Sequence, residues 1–325
     1  MLANSGSLSK RADSIERFSL NATESVKVVI VNYFSSSLIE DLLCDVKVDD
    51  FGGIIIVDNS NDTDEWRNVE VLASQNSVRC VRMEYNAGFG AGVNCGVKSL
   101  GLKSSEYVWV LNPDTRIERD SAARLVKAID EHRADIVSPL IVTDPDGQVW
   151  FGGGDLDLKR GRTSHRVTTP HKVEECSFLT GAAMMLRGAS WHRLGGFRED
   201  LFMYWEDADL CIRARDLGMT MMIAPDVTIW HAVGATSSAS GKSELYYFYM
   251  QRNRMMVIAS SFGIGGLLHP LAIAELMRIF LRTFKEDERP LSKARAAARG
   301  VLAGFQYAVG QFKAGSPVFR GPAAS

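Results

Sequence analysis

The sequence predicts an α/β fold: a mixed but mostly parallel sheet flanked by helices, followed by a C-terminal helical extension. Short apolar runs alternate with helical patterns through the first half of the chain, as they do in a parallel sheet with crossover helices. Each run stops in polar residues, at Asn32, at Asp58-Asn59-Ser60, at Asn86 and at Asn112-Pro113-Asp114, and ligands of open α/β sheets bind beyond such strand ends. From Glu244 the alternation gives way to long aromatic and amphipathic helical stretches.

Taken in order, residues 1–25 are rich in Ser, Asn and charge and read as a flexible leader without a signal-peptide core. Asn21-Ala22-Thr23 matches a glycosylation acceptor, which reads as chance without a secretion signal. Buried strands are expected at 26–31, 54–57, 78–83 and 107–111, and helices at 36–46, 91–100 and 121–132, the last opening near Ser121. The stretch 144–169 is dense in Gly, Asp and Pro (DPDG, FGGGD, KRGR) and reads as hairpins and a mobile loop. TGAAMMLR at 180–187 reads as a strand, with small residues first.

Beyond it the chain divides into a core domain at 26–243 and a basic helical region at 244–325. In residues 251–325 eleven basic side chains (Arg252, Arg254, Arg278, Arg282, Lys285, Arg289, Lys293, Arg295, Arg299, Lys313, Arg320) face four acids (Glu275, Glu286, Asp287, Glu288). This tail reads either as a surface resting on anionic lipid or as an ordinary helical cap with solvated charges.

Composition narrows the class. At 325 residues the chain can hold one large α/β domain with an appendage. A net charge of −2 gives no reason to expect nucleic acid. The five cysteines are scattered, with no CxxC pair, so they read as reduced thiols of a cytoplasmic protein rather than a disulfide framework or zinc site. No window reaches the ~18 consecutive apolar residues of a spanning helix.

Four segments carry chemistry. In LFMYWEDADLCIR, Glu206, Asp207 and Asp209 stand directly behind an apolar and aromatic run. A carboxylate partly desolvated there gains proton affinity and suits a catalytic base, while the alternative is acids opening a helix at its positive end. NAGFGAGVNCG places Gly88, Gly90 and Gly92 in a strand-to-helix turn, either an anion cradle or a tight turn without ligand. It is not the dinucleotide fingerprint, because Val93 occupies the third glycine position. Leu111-Asn112-Pro113-Asp114 fixes a carboxylate at a strand end, as a cation ligand or as part of a type I turn. His231, at the end of another apolar strand, is structural on its own and a plausible Mn²⁺ or Mg²⁺ ligand if it meets Asp114.

Together these segments resemble the family 2 glycosyltransferases of the Rossmann-like GT-A fold. The resemblance runs from about Val26 to Gly263 through VVIVNYF, IIIVDNS, NAGFGAGVN, LNPDT, TGAAMMLR, GGFREDLFMYWEDADLCIRARDLG, IWHAVG and YYFYMQRNR, and is nearest to a rhamnosyltransferase-like branch. It implies that Asp58 and Asn32 hold the nucleotide base, and that Asn86, Gly88, Asn94 and Asn112 lie along the nucleotide sugar. It implies that Asp114 and His231 bind Mg²⁺ or Mn²⁺, and that Asp207 is the base, with Glu206 orienting its neighbours or the acceptor. Tyr204 and Trp205 would then wall the acceptor site. Two departures stand out: Asn112 replaces the first acid of the DxD motif, and either Asp62 or Asp64 takes the family's second acidic position.

The expected reaction is inverting transfer of a sugar, L-rhamnose from dTDP-L-rhamnose being the first expectation and UDP-galactofuranose or a UDP-hexose the alternative. The acceptor would be a saccharide or polyprenyl-diphosphate-linked saccharide in cell-surface polysaccharide synthesis. The tail would rest on the inner face of the cell membrane, and a homo-oligomer stays open. A nucleotidyltransferase would need a basic glycine-rich loop that VVIVNYFSSS lacks. An oxidoreductase would need the missing third glycine, and a non-catalytic sugar-nucleotide-binding protein would have no reason to keep Asp114, Asp207 and His231 together.

Overall fold

The computed structural model describes residues 23–232 and 241–313. Most of the expected leader, the first two residues of the Asn21-Ala22-Thr23 acceptor, the loop beyond Ala232 and Arg320 lie outside the described residues.

Strands β1 (Val26–Asn32), β2 (Gly53–Asp58), β3 (Arg79–Arg82) and β4 (Tyr107–Leu111) pair in parallel in the order β3-β2-β1-β4. Helices α1 (Ser36–Asp45), α2 (Thr63–Gln75) and α3 (Phe89–Leu100) make the connections between them. Because helices cover the sheet, β1, β2 and β4 are buried almost throughout, which their unbroken apolar runs allow. A Cβ on Gly96 of α3 would meet Val29 at 2.6 Å and Val57 at 3.0 Å, so that glycine lets the helix lie close on the sheet.

The sheet continues through α4 (Ser121–Glu131), β6 (Ile136–Thr143), β11 (Met185–Arg187) and β12 (Met221–His231). Its full order is β10-β12-β6-β11-β4-β1-β2-β3, with β10 (Glu174–Glu175) at one edge, β5 (Thr115–Arg116) paired to β12 and β7 (Val149–Phe151) to β6. β11 runs antiparallel to both neighbours, so the sheet is mixed, as expected of this fold class. Helices α5 (Gly188–Leu194) and α6 (Glu206–Asp216) complete this half.

One local expectation changes, and three other segments gain detail. Residues 181–184 are a turn, and only Met185–Arg187 of the 180–187 run is strand. The glycine-rich stretch after Asp144 contains a hairpin, as expected: β8 (Gly154–Asp157) pairs with β9 (Arg162–His165). β6 contains Pro139, a residue that disqualifies a central strand from sequence; here the β12 partner bulges between Ala224 and Thr228, where the missing N–H would otherwise be missed. Helix α2 is capped by Asp62, whose carboxylate accepts from the Asp64 and Glu65 amides, while Asp64 pairs with Arg67 outside. Asp62 is thus spent on a cap and Asp64 on a surface pair.

The C-terminal region is helical and partly packed on the core. α7 (Glu244–Leu267, broken at Gly263), α8 (Pro270–Arg282) and α9 (Pro290–Lys313) lie together, and Met256 and Val257 of α7 belong to the main core. Part of the basic excess is used inside: Arg254 is 1% exposed and donates to the Arg160 and Ala272 carbonyls, and Lys293 sits 2.9 Å from Glu286. Outside remain Arg282, Lys285, Arg295, Arg299 and Lys313, among exposed Ile273, Met277 and Leu281, spaced at helical intervals, and Leu302, Phe305 and Phe312. Among the described residues no single helix is long and apolar enough to cross a membrane; the pair 244–267 and 270–285, bent by 112°, reaches that length only together.

Candidate active site

The strand ends of β1, β2 and β4 and the opening of α6 meet on one side of the sheet. At the first, Asn32 is fully buried and donates to Asp58 (3.0 Å) and Glu65 (2.9 Å), while its Oδ1 accepts from the Ser35 amide. Asp58 Oδ1 takes Asn32 and the Ser60 amide, but its Oδ2 is buried without a partner among the described residues. An unpaired buried carboxylate oxygen is costly, so this one is poised for a ligand N–H such as a pyrimidine base carries. Glu65 was not legible in sequence. Burial raises its pKa, yet hydrogen bonds from Asn32 and Ser36 outweigh that and hold it below the usual range, so it stays an anion that locks the β1 and α1 ends.

The glycine turn is held from within. Asn59 donates to the Gly88 carbonyl and accepts from Ala87, and Asn86 accepts from the Gly88 amide. Gly88 has φ +91°, and a Cβ there would strike the Phe202 backbone, so only glycine fits. Phe89 N donates to Phe202 O at 2.9 Å. The Gly88 amide is closed by Asn86 within the turn, and the Phe89 amide ties α3 to the segment before Glu206, so neither of these two is offered to an anion. Asn94 is corrected likewise. Its amide donates to Phe197 O and Glu199 and accepts from Phe197 N, so both its ends brace the 197–199 segment rather than a nucleotide.

Asp114 and His231 come together because β5 zips to the end of β12: Thr115 pairs with His231, and Ala232 N donates to Asp114 O. His231 Nε2 lies 2.9 Å from Asp114 Oδ1, and Asn112 Nδ2 lies 3.5 Å from the same nitrogen. Both side chains are nearly buried, and the other ring nitrogen, Nδ1, is buried without a partner among the described residues. Among the described residues no group of three or more His, Cys, Asp and Glu converges on one point. Two such donors could hold only a cation that fills the rest of its coordination from phosphate oxygens.

Glu206 and Asp207 open α6. Asp207 Oδ2 accepts from Gly181 N (3.3 Å) and Oδ1 from Ala208 N (2.7 Å); Glu206 Oε2 is buried without a partner among the described residues. Burial pushes both carboxyls above their usual range. Glu206 is raised further because the Asp207 charge adds to its desolvation, whereas amide bonds restrain Asp207. Desolvation and mutual repulsion thus favour a proton held within the pair. Asp209 is structural, bridged by Arg198 and Arg213.

The residues before the pair are strained: Phe202, Tyr204 and Trp205 have φ of +65°, +65° and +74°. Left-handed backbone at non-glycine residues costs about 1–3 kcal/mol each and persists only where surroundings enforce it. The turn corrects one expectation, since Trp205 points into the core at 5% exposure. Tyr204 is half-buried and edge-on to Tyr246, so of the two it alone stays partly exposed.

Gly181, overlooked in sequence, joins these parts. Its amide holds Asp207, a Cβ on it would meet the Phe89 ring at 3.2 Å, and its neighbour Ala182 accepts from Asn112 N at 2.9 Å. The signal was the run of small residues in TGAA. Trp150 is a second addition, its ring centroid 4.9 Å from that of His231 in an edge-on arrangement.

This fold and site are those of a glycosyltransferase-type chain, and comparison with known proteins agrees. The model of glycosyl transferase family 2 matches residues 27–194, and the chain belongs to that family. It is 25% identical over 205 residues to the low-salt glycan biosynthesis hexosyltransferase Agl10 of Haloferax volcanii, covering 59% of this chain and 62% of that protein's length. It is 28% identical over 238 residues to the N-acetylglucosaminyl-diphospho-decaprenol L-rhamnosyltransferase of Mycobacterium tuberculosis, covering 64% of this chain and 76% of that one. In structure it is similar to GalNAc-T7 crystallised with UDP, GalNAc and Mn²⁺, at a TM-score of 0.59 and 13% identity over 90% of this chain and 58% of that one, a likeness of GT-A fold.

Proposed function

We propose that the protein transfers a sugar from a nucleoside diphosphate sugar to an acceptor hydroxyl with inversion at the anomeric carbon. The observation that carries this is the Gly181 junction, which links the half-buried, proton-attracting Asp207 to the β4 end that bears Asp114, itself 2.9 Å from His231 at the end of β12. Asp58, oriented by Asn32, whose own amide is consumed by Asp58, Glu65 and Ser35, receives the base. Asp207 takes the acceptor hydroxyl proton as that oxygen attacks opposite the leaving phosphate. Mg²⁺ or Mn²⁺ held by Asp114 and His231 would neutralise the departing diphosphate. One base suffices, so no covalent sugar intermediate is required.

For the donor we favour dTDP-L-rhamnose, supported by the rhamnosyltransferase relative, and for the acceptor a lipid-linked saccharide, supported by the diphospho-decaprenol in that relative's name. Purified protein should be stabilised by dTDP-rhamnose with Mn²⁺ more than by UDP-galactose or UDP-N-acetylglucosamine, by about 2.7 kcal/mol at about 100 times Kd. Greater stabilisation by a UDP-sugar would reassign the donor.

The outer faces of α8 and α9, apolar with Arg and Lys interspersed, support peripheral binding to anionic lipid. Leu302→Glu with Phe305→Glu should weaken sedimentation with phosphatidylglycerol vesicles at least tenfold; equal sedimentation would reject the membrane contact.

A further inference from the structure

The left-handed run before Glu206 and Asp207 needs something to enforce it, and the groups that do so lie on α7, far away in sequence. Asn253 is fully buried, and its Nδ2 donates to three carbonyls of that run: Leu201 (2.7 Å), Met203 (2.8 Å) and Tyr204 (2.8 Å). Its Oδ1 is fixed by Arg252 Nε at 2.8 Å, which orients the amide with its N–H groups toward the loop. The Arg252 guanidinium reaches the Asp200 and Leu201 carbonyls at 2.5 and 3.1 Å and lies over the Tyr249 ring. From the opposite side Phe89 N takes the Phe202 carbonyl. The segment is thus held at both edges, by α7 and by the glycine turn, and its next residues are the carboxyl pair.

We propose that Arg252 and Asn253 are positioning residues for the transfer reaction: they hold the strained 201–205 turn that seats Asp207, so the C-terminal helices form part of the catalytic unit. Three carbonyls turned toward one point repel one another unless a donor stands between them. A primary amide supplies two N–H groups there, whereas a carboxylate of the same shape supplies none. Released from the clamp, Phe202, Tyr204 and Trp205 relax toward ordinary backbone, and the first turn of α6 moves with them. A shift of the base by about 1 Å is enough to cost about a hundredfold in rate. The donor contact at Asp58 lies on another element and stays intact.

The proposal rests on reading Asp207 as the base, and Asp207→Asn measured alongside separates the two. The test compares Asn253→Ala, Asn253→Asp and Arg252→Met with the full-length protein, reading kcat, donor KM, nucleotide affinity, melting temperature and the pH profile of kcat. The expected result is a fall in kcat of about 100-fold for the Asn253 variants and about 10-fold for Arg252→Met, with nucleotide affinity within about threefold. The acid limb of the profile should move to lower pH as water reaches a loosened Asp207. Arg252→Met keeps the packed stem, so it reports even if the Asn253 variants fail to fold. Kcat within about twofold of the parent in any folded variant, or a loss confined to nucleotide affinity, would overturn the proposal. If Asp207→Asn keeps turnover, the base assignment falls instead.

Discussion

Asp207→Asn is expected to lower kcat by at least about 10³-fold while nucleotide-sugar affinity stays within a few fold, because the amide keeps the shape of the carboxylate but accepts no proton. The same substitution should leave the protein more stable at alkaline pH. The folded-state pKa of Asp207 is raised above its usual 3.8, burial being the main cause. Its stabilising contribution is therefore complete below that unfolded value and is lost as pH rises through the folded one, where a buried charge appears. Asn removes that loss, so a variant that is inactive yet melts at or above the parent temperature at pH 8 identifies a chemical defect. The parent's rate should climb as Asp207 ionises, with an acid limb above the range of an ordinary aspartate. Substantial turnover in Asp207→Asn, or an acid limb near pH 4, would remove Asp207 from the role of base.

Asp114→Ala is expected to abolish turnover and the metal dependence of nucleotide affinity together. Asp114 and His231 are two protein donors that converge within 2.9 Å, and a cation bound mainly through phosphates has little to spare when one is lost. Isothermal titration of nucleoside diphosphate with and without Mn²⁺ would read this directly. In the parent, the cation should tighten binding at least tenfold; in the variant the two titrations should coincide. A variant that keeps the tenfold gain would show that the cation is held elsewhere.

Some of this architecture could be read from residue order, and the reasons for the rest are physical. β4 was legible to its bounds because an unbroken apolar run between turns has few other readings, and the N-terminal start of α6 at Glu206 matches one of the two readings of its acids. β6 was missed because Pro139 argues against a central strand until a bulge in the neighbouring strand is known. At the site, local signals placed single residues at strand ends, but convergence is tertiary. Nothing in the sequence shows that the Asn94 amide is consumed by Phe197, that Trp205 turns inward on a left-handed backbone, or that Gly181 N reaches Asp207. The tail was read for its charge, whereas Arg252, Asn253 and Arg254 act by their hydrogen bonds inside the protein.

The account depends most on direct transfer with a single base. Its sharpest test is the anomeric configuration of the newly linked sugar, read by NMR from the product of purified protein with a nucleotide-sugar donor, Mn²⁺ and a saccharide acceptor. A linkage of configuration opposite to the donor's is the predicted result. Retention of the donor's configuration would require a second displacement that one base at Asp207 cannot provide, and would contradict the mechanism.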